Sequence, residues 1–231
     1  MLHAGGGLTL ALPQIKQLFG RARQAVFVPY ALHDQEAVTT RMRSRYFDDI
    51  GVDLVGLHTI TNPADAIAGA GAIVVGGGNT FRLLKVLQEL ELLDPIREAV
   101  ARGVPYFGAS AGANVAGLSI RTTNDMPIVQ PASFAALGLV PFQVNPHYVD
   151  SPPGTPGETR EVRLAEFLEE NDVAVVGLRE DSWLVVEEGG MQLRGPAGAV
   201  LLRRGHRARR LRPGQDLSAL LSYPARFDAP L

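Results

Sequence analysis

Short apolar runs alternate with longer amphipathic stretches along the first half of the chain. Ala25–Pro29 (AVFVP), Val52–Leu57, Ala72–Gly76 (AIVVG) and Val104–Ala109 read as buried strands. Between them Gln35–Ile50 reads as a polar, charged helix. Asn62–Pro63 opens a short helix at Ala64–Ala70. Thr80–Leu90 gathers Phe81, Leu84, Val86, Leu87 and Leu90 near one side, as an amphipathic helix does. Asp94–Pro95 reads as the cap and first residue of a helix reaching Arg102, and Ala111–Leu118 as a helix of small residues. Strands separated by helices in this way predict βαβ units, a parallel sheet and right-handed crossovers. A ligand site then belongs at the carboxyl ends of the strands.

The second half reads differently. Pro152, Pro153 and Pro156 mark a loop, Arg160–Glu170 a helix and Val173–Leu178 a buried strand. Ser182–Glu187 and Met191–Arg194, joined at Gly189–Gly190, predict a β-hairpin, and Ala199–Arg203 a further strand. The expected architecture is α/β: one domain over residues 1–231, with a mostly parallel sheet and an antiparallel edge. The opening segment MLHAGGGLTLALP is a poor strand, which leaves two readings: an altered edge there, or a misassigned start.

Composition narrows the chemistry. There is no cysteine in 231 residues, so disulfides, thiolate metal sites and a cysteine nucleophile are excluded. Covalent catalysis would fall to Ser, Thr, Lys or a carboxylate. A net charge of -2 gives no global field for nucleic acid or acidic membrane. No apolar run approaches the roughly 20 residues of a membrane span. The start MLHAGGGLTLALPQ lacks the basic residues and cleavage pattern of a secretory signal, so a soluble cytoplasmic protein is the expectation. The arginine-rich run Arg203–Arg212 reads as a solvated strand and turn, because no aromatics interleave it as in a nucleic-acid patch.

Three segments could carry a reaction. Gly108-Ala109-Ser110-Ala111-Gly112 is a G-x-S-x-G between an apolar strand and a small-residue helix, the setting of a nucleophile elbow at Ser110. Gly76-Gly77-Gly78-Asn79-Thr80 also follows a strand and opens a helix. It could offer backbone N–H groups to a phosphate or to an oxyanion, or be a plain turn. The bases available are His3, His33, His58, His147 and His206. His147, in Asn145-Pro146-His147-Tyr148, follows the apolar stretch Leu137–Val144, and His58 at a strand end is its rival. Thr122–Pro127 could cap a helix or line a pocket. Glu180, at a strand end, could orient a histidine or be solvated.

The blocks GGGNTFRLLK, FGASAGANVAG, RTTNDMPIVQP, VNPHYVD and GETREVR stand in an order and spacing that resemble peptidase E, the α-aspartyl dipeptidase family of serine peptidases. The resemblance runs from about residue 25 to 195. It implies a three-layer α/β sandwich like that of class I glutamine amidotransferases (flavodoxin-like), with Ser110 where those relatives usually carry cysteine. It also implies Ser110 as nucleophile, His147 as general base and Glu180 as the acid, with Asp125 a second candidate for the charge relay or a holder of the substrate's α-ammonium. Arg160 matches the arginine that grips an aspartyl side chain, and Asn79 is a further substrate-binding candidate. The N–H groups of Gly78 and Ala111 are the oxyanion-hole candidates. No metal or cofactor is implied, and the partner is a small Asp-X peptide; a monomer and a homodimer remain open. A cyanophycinase-like or broader peptidase is the alternative, and a ligand-binding protein using the GGGNT loop is the non-enzyme one.

Overall fold

The computed structural model describes residues 1–152 and 154–229. The elements in chain order are β1 (Leu2–His3), α1 (Leu8–Phe19), β2 (Gln24–Val28) and α2 (Gln35–Met42), which runs through a π turn (Arg43–Phe47) into α3 (Asp48–Ile50). Then come β3 (Asp53–Gly56), α4 (Pro63–Ala68), β4 (Ile73–Val75), α5 (Thr80–Glu89), α6 (Leu93–Ala101), β5 (Tyr106–Ala109) and α7 (Ala111–Ala116). The rest is β6 (Gln143–Asn145), α8 (Arg160–Glu170), β7 (Val175–Leu178), β8 (Trp183–Glu187), β9 (Gly190–Arg194), β10 (Ala199–Leu202) and β11 (Arg209–Leu211).

The main sheet has the order β3-β2-β4-β5-β1-β8-β9. Its first five strands pair in parallel, and the β8–β9 hairpin forms an antiparallel edge. The parallel strands read as unbroken apolar runs because both faces are covered. Along β2, Val26 and Val28 face a core with Ile67 of α4, Leu83, Leu84 and Leu87 of α5 and Ile96 of α6. Ala25 and Phe27 face the opposite way, against Leu8, Ile15 and Phe19 of α1 and Val38 of α2. Two helical layers therefore enclose one sheet.

Several expectations change on contact with the structure. The opening segment is not an altered edge. Its two-residue strand β1 lies inside the main sheet, with His3 paired to Ala109 on one side and Trp183 on the other. It is short because Gly5 and Gly7 turn the chain at positive φ, at 137° and 67°. The helix α1 that follows has Leu8, Ala11, Ile15 and Phe19 on its buried face despite Pro13 inside it. The strands at Val173–Leu178 and Ala199–Arg203 do not join the main sheet. They build a second sheet of order β11-β10-β7-β6, covered on one face by Leu164 and Leu168 of α8. The helix expected at Gln35–Ile50 is present and continuous, but its α-helical bonding widens to a π turn over Arg43–Phe47. Leu92, not Asp94, occupies the cap position before α6. The arginine run ends in the edge strand β11, with Arg207, Arg209, Arg210 and Arg212 exposed. Of the loop prolines, Pro153 lies outside the described residues. No helix among the described residues is long and apolar enough to cross a membrane.

Candidate active site

The parallel strands β4, β5 and β1 are neighbours, so their carboxyl ends present three loops side by side: Gly76–Asn79, Ser110 and Ala4–Gly7. In the second sheet, β6 and β7 are also parallel neighbours, and their carboxyl ends lead to His147 and Glu180. The site forms where the carboxyl edges of the two sheets meet, as the topology requires.

Ser110 sits between β5 and α7 at φ 53°. The turn closes because of what flanks it. A side chain at Gly108 would overlap Gly112 O, and one at Gly112 would overlap Val75 O. The Tyr106 hydroxyl donates to Gly112 O at 2.7 Å and fastens the start of the helix to the strand. His147 and Asp181 are also non-glycine residues at positive φ, 56° and 63°. Three of the five such residues in the described chain thus lie at this one place, where backbone strain is held by the surrounding contacts.

Ser110 Oγ lies 2.6 Å from His147 Nε2. His147 Nδ1 is hydrogen-bonded to Glu180 Oε1, and Gly6 N–H donates to the other carboxylate oxygen at 2.5 Å. Burial alone would raise the Glu180 pKa. The hydrogen bonds from His147 and Gly6 and the charges of His147 and His3 outweigh it, so the carboxyl stays below its ordinary value. The His147 and Glu180 side chains are 40% and 49% exposed, so the group opens to solvent and a substrate can reach it. A hydroxyl bonded to an imidazole that is bonded to a carboxylate can generate an alkoxide-like nucleophile for acyl transfer.

The other candidates are spread around this line. His58 is not among the triad's contacts; its Nε2 bonds Glu36 at 3.0 Å. Asp125 Oδ2 accepts from the Thr80 N–H at 2.8 Å, capping α5, and from Thr123 at 3.2 Å. Its Oδ1 makes no hydrogen bond among the described residues. Arg160 is half-buried at the start of α8 and forms no ion pair among the described residues. Burial and the neighbouring Arg163 push its pKa down, while the nearby Asp125 charge pulls it up. A partly desolvated guanidinium with no carboxylate of its own calls for an anion. The Asn79 side chain is already engaged: Oδ1 accepts from Arg82 N–H at 3.0 Å and Nδ2 donates to Met126 O at 2.9 Å. The N–H of Gly78 has no backbone acceptor among the described residues, and Ala111, first in α7, has no intrahelical one. Among the described residues no cluster of three or more His, Asp or Glu side chains could hold a metal ion.

Glycines line the site: Gly77, in the loop the sequence offered for an oxyanion, and Gly5 and Gly6, which sequence reasoning missed. A Cβ on Gly77 would lie 3.1 Å from Ser110 Cβ and 3.7 Å from its Oγ. One on Gly5 would overlap the His147 ring, and one on Gly6 would lie 2.5 Å from Glu180 Oε2. The run Gly5-Gly6-Gly7 was the available signal, matching the run at Gly76–Gly78.

His3 is fully buried beside these groups, stacked on Trp183 at 5.5 Å between ring centroids. Burial pushes its pKa down to about 4; Glu180 opposes this and His147 adds to it. The folded value lies below the unfolded one of about 6.5, so protonation favours unfolding. The contribution is complete above about pH 6.5 and is lost as the pH falls toward 4, a loss of about 3 kcal/mol. Thermal denaturation should therefore show a melting temperature that falls between pH 6.5 and 4, and the fall should shrink in His3→Phe. An equal fall in both proteins would remove His3 as its source.

Comparison with known proteins places the chain. The profile of Peptidase family S51 matches residues 1–194. "Peptidase E" of Streptomyces coelicolor is 50% identical over 98% of this chain and 93% of its own. The Drosophila melanogaster protein named "Probable alpha-aspartyl dipeptidase" is 46% identical over 95% of this chain and 93% of its own. The solved structure of a peptidase from an acI-B1 Actinobacterium covers 94% of each chain with a TM-score of 0.71 at 19% identity, a likeness of fold. This chain belongs to peptidase family S51.

Proposed function

We propose that the chain, acting as one peptidase domain over residues 1–231, is a cytoplasmic serine exopeptidase that hydrolyses dipeptides with an N-terminal aspartate. The observation that carries this reading is the continuous hydrogen-bonded line from Ser110 through His147 to Glu180. The names of the relatives point to the same activity.

In this reading Ser110 Oγ attacks the scissile carbonyl while His147 Nε2 takes its proton. Glu180 fixes the imidazole tautomer and stabilises the imidazolium. The Gly78 and Ala111 N–H groups receive the oxyanion, each worth roughly 3–4 kcal/mol. The imidazolium protonates the leaving amine, and water then hydrolyses the acyl-enzyme. Arg160 grips the β-carboxylate through its planar fork. Asp125 offers its open Oδ1 to the α-ammonium. Asn79 serves substrate binding indirectly, by fixing the Gly77–Gly78 loop and Met126.

A dipeptide panel tests the reading. Wild type should cleave Asp-Leu and leave Leu-Asp intact. Arg160→Ala should lose about 10- to 100-fold in kcat/KM on Asp-Leu and keep its rate on Ala-Leu, as loss of a charged hydrogen bond predicts. Undiminished discrimination between Asp-Leu and Ala-Leu in the variant would reject the role of Arg160. Cleavage of Leu-Asp in preference to Asp-Leu would reject the substrate.

A further inference from the structure

His3 is buried among aromatic rings, stacked on Trp183 and tilted against Phe107 at 6.3 Å. A phenylalanine would suit that packing. The histidine instead carries a liability: its Nε2 is buried without a hydrogen-bond partner among the described residues. Its Nδ1 accepts the Gly5 N–H at 3.0 Å, so the ring proton belongs on that unpartnered Nε2. A buried donor left unpaired is disfavoured, so the residue type is explained only by what Nδ1 does.

That bond fixes the turn on which the triad rests. Gly5 packs against the His147 ring, and the next residue, Gly6, donates to Glu180 Oε2. The His3 backbone adds a second tie, its carbonyl accepting the Ser110 N–H at 3.0 Å. One side chain thus stands one residue from the group that anchors the carboxylate, and its main chain holds the nucleophile.

We propose that His3 is a positioning residue for the hydrolytic triad: its Nδ1 sets the Gly5–Gly7 turn so that Gly6 N–H holds Glu180, and Glu180 in turn holds His147, in line with Ser110. The inference rests on the triad reading above. The bond from a side chain at residue 3 to the N–H of residue 5 is the geometry of an Asx turn, which asparagine makes with its own Oδ1. Glutamine, one methylene longer, does not place its amide there.

The experiment compares wild type with His3→Phe, His3→Asn and His3→Gln. It follows kcat and KM on Asp-Leu, the rate of Ser110 labelling by a fluorophosphonate, and the melting temperature. His3→Phe and His3→Gln should lose about tenfold or more in kcat and in labelling rate, with KM within about twofold, because a small misalignment of reacting groups is felt in the chemical step. His3→Asn should recover both rates to within about threefold, although it fills the aromatic site poorly and melts below His3→Phe. If activity followed melting temperature, or if His3→Phe kept wild-type kcat and labelling, the role would be purely structural and the proposal overturned. Should His3→Phe fail to fold, the asparagine–glutamine pair decides alone: equal rates in the two would overturn it. If wild type is labelled at Ser110 and leaves Asp-Leu intact, the substrate reading falls, and the labelling rates still decide His3.

Discussion

Ser110→Ala is expected to lower kcat/KM for Asp-Leu by at least about 10⁴-fold, to the level of the uncatalysed background of the site. The Oγ is the only atom removed, and its one hydrogen bond among the described residues is to His147. The bonds through which residue 110 serves the fold belong to the main chain. Its N–H donates to His3 O, and its carbonyl accepts from Ala113 and Asn114 at 2.9 Å. Alanine keeps all three and meets the same positive φ with no added bulk. The melting temperature should therefore stay within a few degrees of wild type while fluorophosphonate labelling disappears. A folded Ser110→Ala protein that still cleaves Asp-Leu would remove the nucleophile from the mechanism, and with it the roles of His147 and Glu180.

The parallel half of the fold was legible because its strands are buried on both faces. Ala25–Val28, Ile73–Val75 and Tyr106–Ala109 need no polar alternation, and an uninterrupted apolar run between helical patterns has few other readings. Ser110 and the Gly76–Gly78 loop could be placed for the same reason, since each follows such a strand. The start of the chain was not legible. A strand of two residues has no period, and Pro13 obscures a helix whose Leu8, Ala11, Ile15 and Phe19 are otherwise well spaced. The split into two sheets was not legible either. Val175–Leu178 and Trp183–Glu187 are similar apolar strands, and which neighbour each takes is decided by tertiary packing: β1 for the second, β10 and β6 for the first. The contact of Gly5 and Gly6 with His147 and Glu180 followed from that hidden strand. A sequence motif marks the residues that react; the residues that hold them come from chain segments whose pairing no local pattern announces.

Glu180→Gln should be nearly as damaging as loss of the nucleophile, and the reason is directional. Glu180 accepts on both oxygens, from Gly6 N–H on one side and from His147 Nδ1 on the other. A glutamine can satisfy Gly6 only with its carbonyl oxygen, because a backbone N–H needs an acceptor. That turns the amide NH₂ toward His147 Nδ1, which must then accept. The ring proton moves to Nε2, the atom that has to take the proton of Ser110. The imidazole is held in place in the wrong tautomer, and kcat should fall by about 10²- to 10⁴-fold with KM little changed. Asp125→Asn predicts the opposite division. Asparagine can still accept the Thr80 N–H and keep the cap on α5, but it loses the charge beside Arg160 and the ammonium site. KM for Asp-Leu should rise about tenfold while kcat stays within about threefold of wild type. Steady-state kinetics on the two variants therefore separate the two carboxylates. A collapse of kcat in Asp125→Asn together with a near-normal kcat in Glu180→Gln would move the acid of the triad to Asp125 and leave Glu180 as a brace for the glycine turn.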